Sequence, residues 1–235
     1  LHDLTLENTT NVEQVFPQKA RKDGKFYVVD FSFQEIRQLD LHERTRNQEV
    51  VFPERFPLFV GLSGLKVPSL SAWLRFVSGV NQSSGREAGV YIEIKDSQFH
   101  KENGIDSLRI VYDTLQILGF ENKADKVFLQ SFNPTDLKRL RTEMKTPLTL
   151  VQLIGRNEWK MSSVDFDSMV SREGLAKIKT YADAVGPSLD RLYTLSENKL
   201  TASDFMKKAR EVGLVVHPFT HRSDRLPPGF KNNQE

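Results

Sequence analysis

An incomplete (β/α)8 TIM barrel is the α/β fold class that the sequence predicts, and three observations predict it. From residue 89 onward, five short runs rich in branched apolar residues recur about 20 to 40 positions apart. Segments of helical periodicity lie between them. No strand is followed by a glycine-rich loop of the G-x-G-x-x-G or G-x-x-x-x-G-K type, which disfavours a nucleotide-binding doubly wound sheet.

The elements follow in order. The strand runs are GVYIEIK (89–95), KVFLQSF (126–132), LTLVQLIG (148–155), ADAVGPS (182–188) and GLVVHPFT (213–220). Between the first two, Ile105, Leu108, Val111, Tyr112, Leu115 and Leu118 recur at helical spacing, and Gly119 stands where a C-terminal cap belongs. Asn133 and Pro134 have the character of a helix start for 133–144. Further helices are expected over 171–182 and 202–213, the second ended by Gly213. Together these make five consecutive βα units over 89–225 within a single partial barrel domain, 1–235. Residues 9–80 lack this rhythm and read as an insertion, with a helix over 69–80 and with Pro53, Pro57 and Pro68 in loops.

Composition narrows the function. With 38% hydrophobic residues the chain can bury a proper core, and 33 basic against 31 acidic residues make no field that would gather nucleic acid. No apolar run is long enough to span a membrane. Without cysteine, any metal must be held by oxygen or histidine. The chain begins with Leu-His-Asp and ends in polar, proline-containing sequence, so it reads as an internal piece of a longer protein.

In a barrel of this kind the C-terminal strand ends face the active site. Glu93 and Lys95 stand there together, two apart and therefore on one face, while Val90, Ile92 and Ile94 take the other. Glu93 suits a hard, oxygen-ligated cation such as Ca²⁺ or Mg²⁺; a salt bridge to Lys95 is its plain structural alternative. Lys95 suits a phosphate, as a point charge against developing negative charge. Gln130 and Ser131 end the second run, and His217 and Thr220 the last. His2, beside Asp3, is a candidate acid or base. Trp159 in RNEWK lines a mouth or covers core, and KARKDGK (19–25) reads as a solvated turn. His42, His100 and His221 have no spacing that suggests a shared metal.

The segments HD (2–3), FPQKARKDGKFYVVDFSFQEIRQL, GVYIEIK, VFLQSF, LVQLIG and LVVHPFTHRSDRLP together resemble the glycerophosphodiester phosphodiesterases, in particular the long periplasmic type of bacteria. The resemblance implies a (β/α)8 barrel with an insertion after the His-Asp motif. It also implies metal-dependent hydrolysis of glycerophosphodiesters, such as glycerophosphocholine, to glycerol 3-phosphate and an alcohol. By motif, His2 matches a catalytic histidine, Glu93 a metal carboxylate and Lys95 the phosphate-side lysine, with catalytic and substrate-binding roles. Gln130 and Phe132 match the strand beside the pocket, and His217 is expected to bind substrate. The implied cofactor is Ca²⁺, with Mg²⁺ the alternative. The implied partner is a small-molecule substrate, with no nucleic acid and no membrane span, and the implied location is periplasmic or secreted.

The departures are equally specific. The family's H-R-G strand, its E-x-D strand and its closing T-D-x-P strand are not in this sequence, so five of the eight barrel strands are expected here and the piece alone is expected to be inactive. The alternatives are a catalytically inactive glycerophosphodiester-binding barrel or fragment, and a related phospholipase-type phosphodiesterase.

Overall fold

Prolines, glycines and charged residues break the early part of the chain into short elements. The computed structural model describes residues 2–46, 49–51, 64–123, 126–196, 199–221, 226 and 230. These fall into two units, Leu1–Gly79 with Gln98–Ile105, and Val80–Ser97 with Asp106–Glu235. Pro53 and Pro57 lie outside the described residues, as do Arg222 and Asp224.

The first unit contains α1 (Val12–Val15), α2 (Phe33–Ile36) and a hairpin of β1 (Thr45–Arg46) and β2 (Glu49–Val50). Ser32 starts α2 through a capping box with Glu35, which satisfies amide groups that a one-turn helix would otherwise leave bare. Leu6, Val12, Phe26, Ile36, Leu39 and Val67 form its core. Around that core the contacts are ionic. Arg21 grips Asp30 with two bonds of 2.6 and 2.8 Å and lies 4.3 Å over Tyr27, while Lys19 pairs with Glu35 at 2.6 Å. The KARKDGK turn is thus exposed, as expected, but Lys19, Arg21 and Asp23 are each bound: Asp23 accepts from the Tyr27 hydroxyl at 2.9 Å. The helix expected over 69–80 is α3 (Leu70–Ser84), which runs four residues further before Gly85 turns the chain at φ 66°.

In the second unit each of the five expected runs contains a strand: β3 (Val90–Glu93), β4 (Val127–Ser131), β5 (Thr149–Ile154), β6 (Ala184–Pro187) and, after a hairpin of β7 (Tyr193–Ser196) and β8 (Lys199–Ala202), β9 (Val215–Val216). They form one parallel sheet in the order β3-β4-β5-β6-β9. Helix α4 (Ser97–Glu102) belongs to the first unit from Gln98 onward, and the helices of the second unit are α5 (Ser107–Ile117), α6 (Pro134–Thr142), α7 (Phe166–Met169), α8 (Arg172–Lys179) and α9 (Phe205–Glu211). Asp106, Asn133 and Ser171 cap α5, α6 and α8 by accepting backbone bonds in the first turn. Gly119 and Gly213 take positive φ beyond α5 and α9, as the sequence implies. Helix α5 begins at Ser107 rather than Ile105 because the Asp106 carboxylate fixes the start.

One face of the sheet packs against the helices through a mostly apolar layer. Val127, Leu129, Leu148, Leu150 and Ile154 are fully buried, as are Leu137, Leu140 and Leu175 of the helices. The strands approach closely where they enter: a Cβ on Gly89 would lie 2.4 Å from the Lys126 carbonyl oxygen, so only glycine fits there.

The sheet is curled. In a flat sheet its two edge strands would be roughly 19 Å apart, four spacings of about 4.8 Å. Yet the Tyr91 hydroxyl on β3 lies 3.0 Å from His217 Nδ1, just beyond β9. Only a strongly bent arc brings these edges together, and that bend is the geometry of a barrel wall. Among the described residues the arc has five strands.

Candidate functional site at the strand ends

The concave face is defined by register. Ser131 faces α6, because its hydroxyl donates to Asp136 at 3.0 Å. Strand alternation therefore sends Phe128, Gln130 and Phe132 to the opposite side. Tyr91 stands beside Phe128, and Glu93 beside Gln130, in the parallel ladder. The two faces of β3 are separated as the sequence requires, with Val90 and Ile94 buried and Glu93 and Lys95 only partly covered.

Lys95 Nζ lies 3.0 Å from Glu93 Oε1. The plain ion pair is thus present. The same Glu93 oxygen is buried and receives no hydrogen bond of acceptable angle, so the lysine neutralises it at close range without an aligned N–H. Such an oxygen retains capacity for another donor or a cation. Lys95 Nζ also stands 6.0 Å over the ring of Phe132. The side chains of this pair are about a quarter exposed, so both charged ends remain within reach of a ligand.

Aromatic rings wall the rim. Phe132 meets Phe166 and Phe219 edge-on, with centroids 5.9 and 5.5 Å apart, and Trp159 meets Phe219 at 6.3 Å. A Cβ on Gly155 would come within 3.1 Å of the Trp159 ring and 3.5 Å of Phe132, so glycine lets the indole lie against the end of β5. Arg191 donates twice to the Gly155 carbonyl, at 2.8 and 2.6 Å, and pairs with Asp167. Trp159 therefore covers packed rings on one side and, at 43% exposure, offers the other to solvent.

His217 shares the concave face, in contact with Tyr91 and Phe128 two residues before Glu93 and Gln130. Burial pushes the Tyr91 phenol up to about 12, so it keeps its proton and can donate to His217 Nδ1. The stacked Tyr91–Phe128 pair, 4.9 Å between centroids, is a part of this face that no local pattern announces.

His2 belongs to the first unit. Its Nδ1 lies 2.7 Å from the Asp3 carboxylate, which Arg44 grips from the other side. Burial tends to raise the Asp3 pKa, but the bonds from Arg44 and His2 outweigh it and hold the carboxyl below its ordinary range. An ionised carboxylate only accepts, so Nδ1 carries the proton in this contact and Nε2 is the nitrogen left for proton transfer. Arg44 has no local sequence pattern that marks it as the third member.

Among the described residues, no three His, Cys, Asp or Glu side chains are close enough to hold a metal ion. Glu93 is a single oxygen ligand where Ca²⁺ takes about six to eight. The described residues therefore do not by themselves make a cation centre. No described helix is long and apolar enough to cross a membrane.

Comparison with known proteins places this geometry in context. Residues 1–233 match the model of the glycerophosphoryl diester phosphodiesterase family. The chain is 35% identical over 254 residues to a glycerophosphodiester phosphodiesterase of Haemophilus influenzae, covering 98% of this chain and 68% of that protein. It is 29% identical over 243 residues to the Treponema pallidum enzyme of the same name, with 94% and 68% covered. A crystal structure from Silicibacter pomeroyi, described as that of a glycerophosphoryl diester phosphodiesterase, superposes with a TM-score of 0.64 at 19% identity, covering 94% of this chain and 67% of that one. At that identity the superposition speaks to the fold alone.

Proposed function

The chain belongs to the glycerophosphoryl diester phosphodiesterase family of hydrolases, and from that premise we propose that it hydrolyses glycerophosphodiesters, such as glycerophosphocholine, to glycerol 3-phosphate and an alcohol. The observation that carries the reading is the Glu93–Lys95 pair at the end of β3, on the concave face beside Gln130.

Each residue has a distinct task in this proposal. Lys95 offers a mobile ammonium to the phosphoryl oxygens and stabilises charge that grows on them in the transition state. Gln130 and Phe132 border the bound diester, one with an amide and the other with a ring. His217, oriented by Tyr91, supplies a further polar edge. His2 exchanges protons with the leaving alcohol or the nucleophile through Nε2, with Asp3 supporting the charge that forms on the ring.

The cation is a narrower proposal. We assign Glu93 as one oxygen donor to Ca²⁺, with Mg²⁺ as the alternative, on the strength of its motif and its unsatisfied Oε1. Calorimetry of the full-length protein should find Ca²⁺ binding weakened by Glu93→Gln, because the amide keeps an oxygen and loses the charge. A periplasmic or secreted location is proposed from the motif likeness to the periplasmic type.

The direct test is release of glycerol 3-phosphate from glycerophosphocholine by the full-length protein. Turnover that is lost in EGTA is the expected result. Binding of the diester without any turnover would favour the inactive binding barrel instead.

A further inference from the structure

The carboxylate of Asp136 is the least explained charged group in the second unit. It sits in the first turn of α6, where acids are common, yet the residue is only 3% exposed. Among the described residues it forms no ion pair. Its two oxygens instead accept hydroxyl bonds, from Ser97 at 2.8 Å and from Ser131 at 3.0 Å.

Both serines are held a second time. Ser97 Oγ accepts from Asn133 Nδ2 at 3.2 Å, and Ser131 Oγ accepts from the Asn133 backbone N–H at 3.1 Å. The result is a closed ring of bonds through Asp136, Ser97, Asn133 and Ser131. Capping α6 does not require it, since the Asn133 side chain already accepts from the Thr135 N–H at 2.9 Å.

The ring joins two particular segments. Ser97 lies two residues beyond Lys95, across Asp96, whose φ of 45° puts a non-glycine residue in the left-handed region as the chain leaves β3. Ser131 lies between Gln130 and Phe132 at the end of β4. Asp136 thus ties together, on the helix side of the sheet, the two strand ends whose other face carries Glu93, Lys95, Gln130 and Phe132.

We propose that Asp136 is a positioning residue for Lys95: by clamping Ser97 to Ser131 it fixes the turn after β3, and so the place of the ammonium that meets the phosphate. Burial raises the Asp136 pKa, against the two hydroxyl bonds, which agrees with a group kept for its geometry rather than for charge stability. The inference rests on the reading of Lys95 as the phosphate-side residue.

The experiment uses the full-length protein with Asp136→Ala, Asp136→Asn and Ser97→Ala, each in the wild-type and the Lys95→Met background. It reads kcat and KM for glycerophosphocholine, and the Kd of glycerol 3-phosphate by calorimetry. In the wild-type background Asp136→Ala should lower kcat by about 10- to 100-fold, the scale of a misplacement of about 1 Å, and weaken product binding. Asp136→Asn, which keeps the shape and one acceptor, should recover most of the loss. In the Lys95→Met background the same substitutions should change kcat and Kd by no more than about twofold, because the residue they position is gone.

Should Asp136→Ala fail to fold, Asp136→Asn and Ser97→Ala carry the same comparison with smaller effects. Equal losses in both backgrounds, or none in either, would overturn the positioning role while leaving the diesterase reading intact. A Lys95→Met protein with wild-type kcat and Kd would overturn the reading of Lys95 and this inference with it.

Discussion

The two units hold their candidate groups by different physics. In the first, His2 is fixed by Asp3 and Arg44 on a segment with little regular structure, in a unit where Arg21–Asp30 and Lys19–Glu35 repeat the same device. In the second, Glu93 and Lys95 project from a strand whose other face lies in a layer of fully buried Leu and Val side chains. Charged contacts near the surface are weak and sensitive to salt and pH, whereas apolar burial is neither. The acid–base group is therefore expected to be the more easily perturbed and the phosphate-side pair the more firmly set.

The largest effect should come from removing chemistry on the ion-paired side. His2→Ala should lower the rate of the full-length protein about 10²- to 10⁴-fold on glycerophosphocholine. If His2 acts as the acid, the loss should shrink on a substrate with a p-nitrophenol leaving group, which needs little protonation. A constant loss would assign it to a base or to structure.

Packing should dominate stability on the other side. Leu150→Ala removes a fully buried side chain from the central strand and should cost about 2 to 5 kcal/mol in denaturant unfolding. Asp3→Asn breaks a partly exposed pair and should cost no more than about 1 kcal/mol, less at high salt. Similar costs for the two would erase the distinction between the units.

The smallest effect, and the sharpest, is on the pH dependence of stability. Asp3, Asp23, Asp30 and Glu35 in the first unit, and Asp165, Asp190 and Asp204 in the second, have carboxyls held below their ordinary range. Their contribution is present above the unfolded carboxyl pKa and is lost as pH falls through the lower folded values. Asp136 in the second unit is raised, so its contribution is full below the unfolded value and is lost as pH rises through the folded one. Acid titration followed by hydrogen exchange should show both units losing protection as pH falls, while Asp136→Asn should remove a slope of opposite sign from the second unit alone. An Asp136→Asn protein that keeps the wild-type pH response in the second unit would contradict this.

The same division governs what could be read from the sequence. The five runs found as strands and the caps at Asn133, Gly119 and Gly213 rest on local patterns, a period of two or 3.6 and a few capping residues, and these survive folding. The shared face of Glu93 and Lys95 was legible for that reason. The hairpin β7–β8 was not, because three of the four residues in each strand are exposed and the alternation in YTLS and KLTA lasts only four residues. Nor were the Tyr91–His217 contact, across 126 positions, and the Asp136 clamp to Ser97, across 39. Both depend on the curl and stacking of the sheet, which no window of sequence contains.

The central claim is that the rim of the sheet, through Glu93 and Lys95, acts on a phosphodiester. It is tested most directly by kcat for glycerophosphocholine in the full-length Lys95→Met protein, measured beside its thermal unfolding. The account predicts a fall of about 10²- to 10³-fold, as for a lost electrostatic contact to the transition state, with stability lowered by no more than about 1 kcal/mol, the scale of a partly exposed ion pair. A kcat equal to wild type in a folded Lys95→Met protein would contradict it.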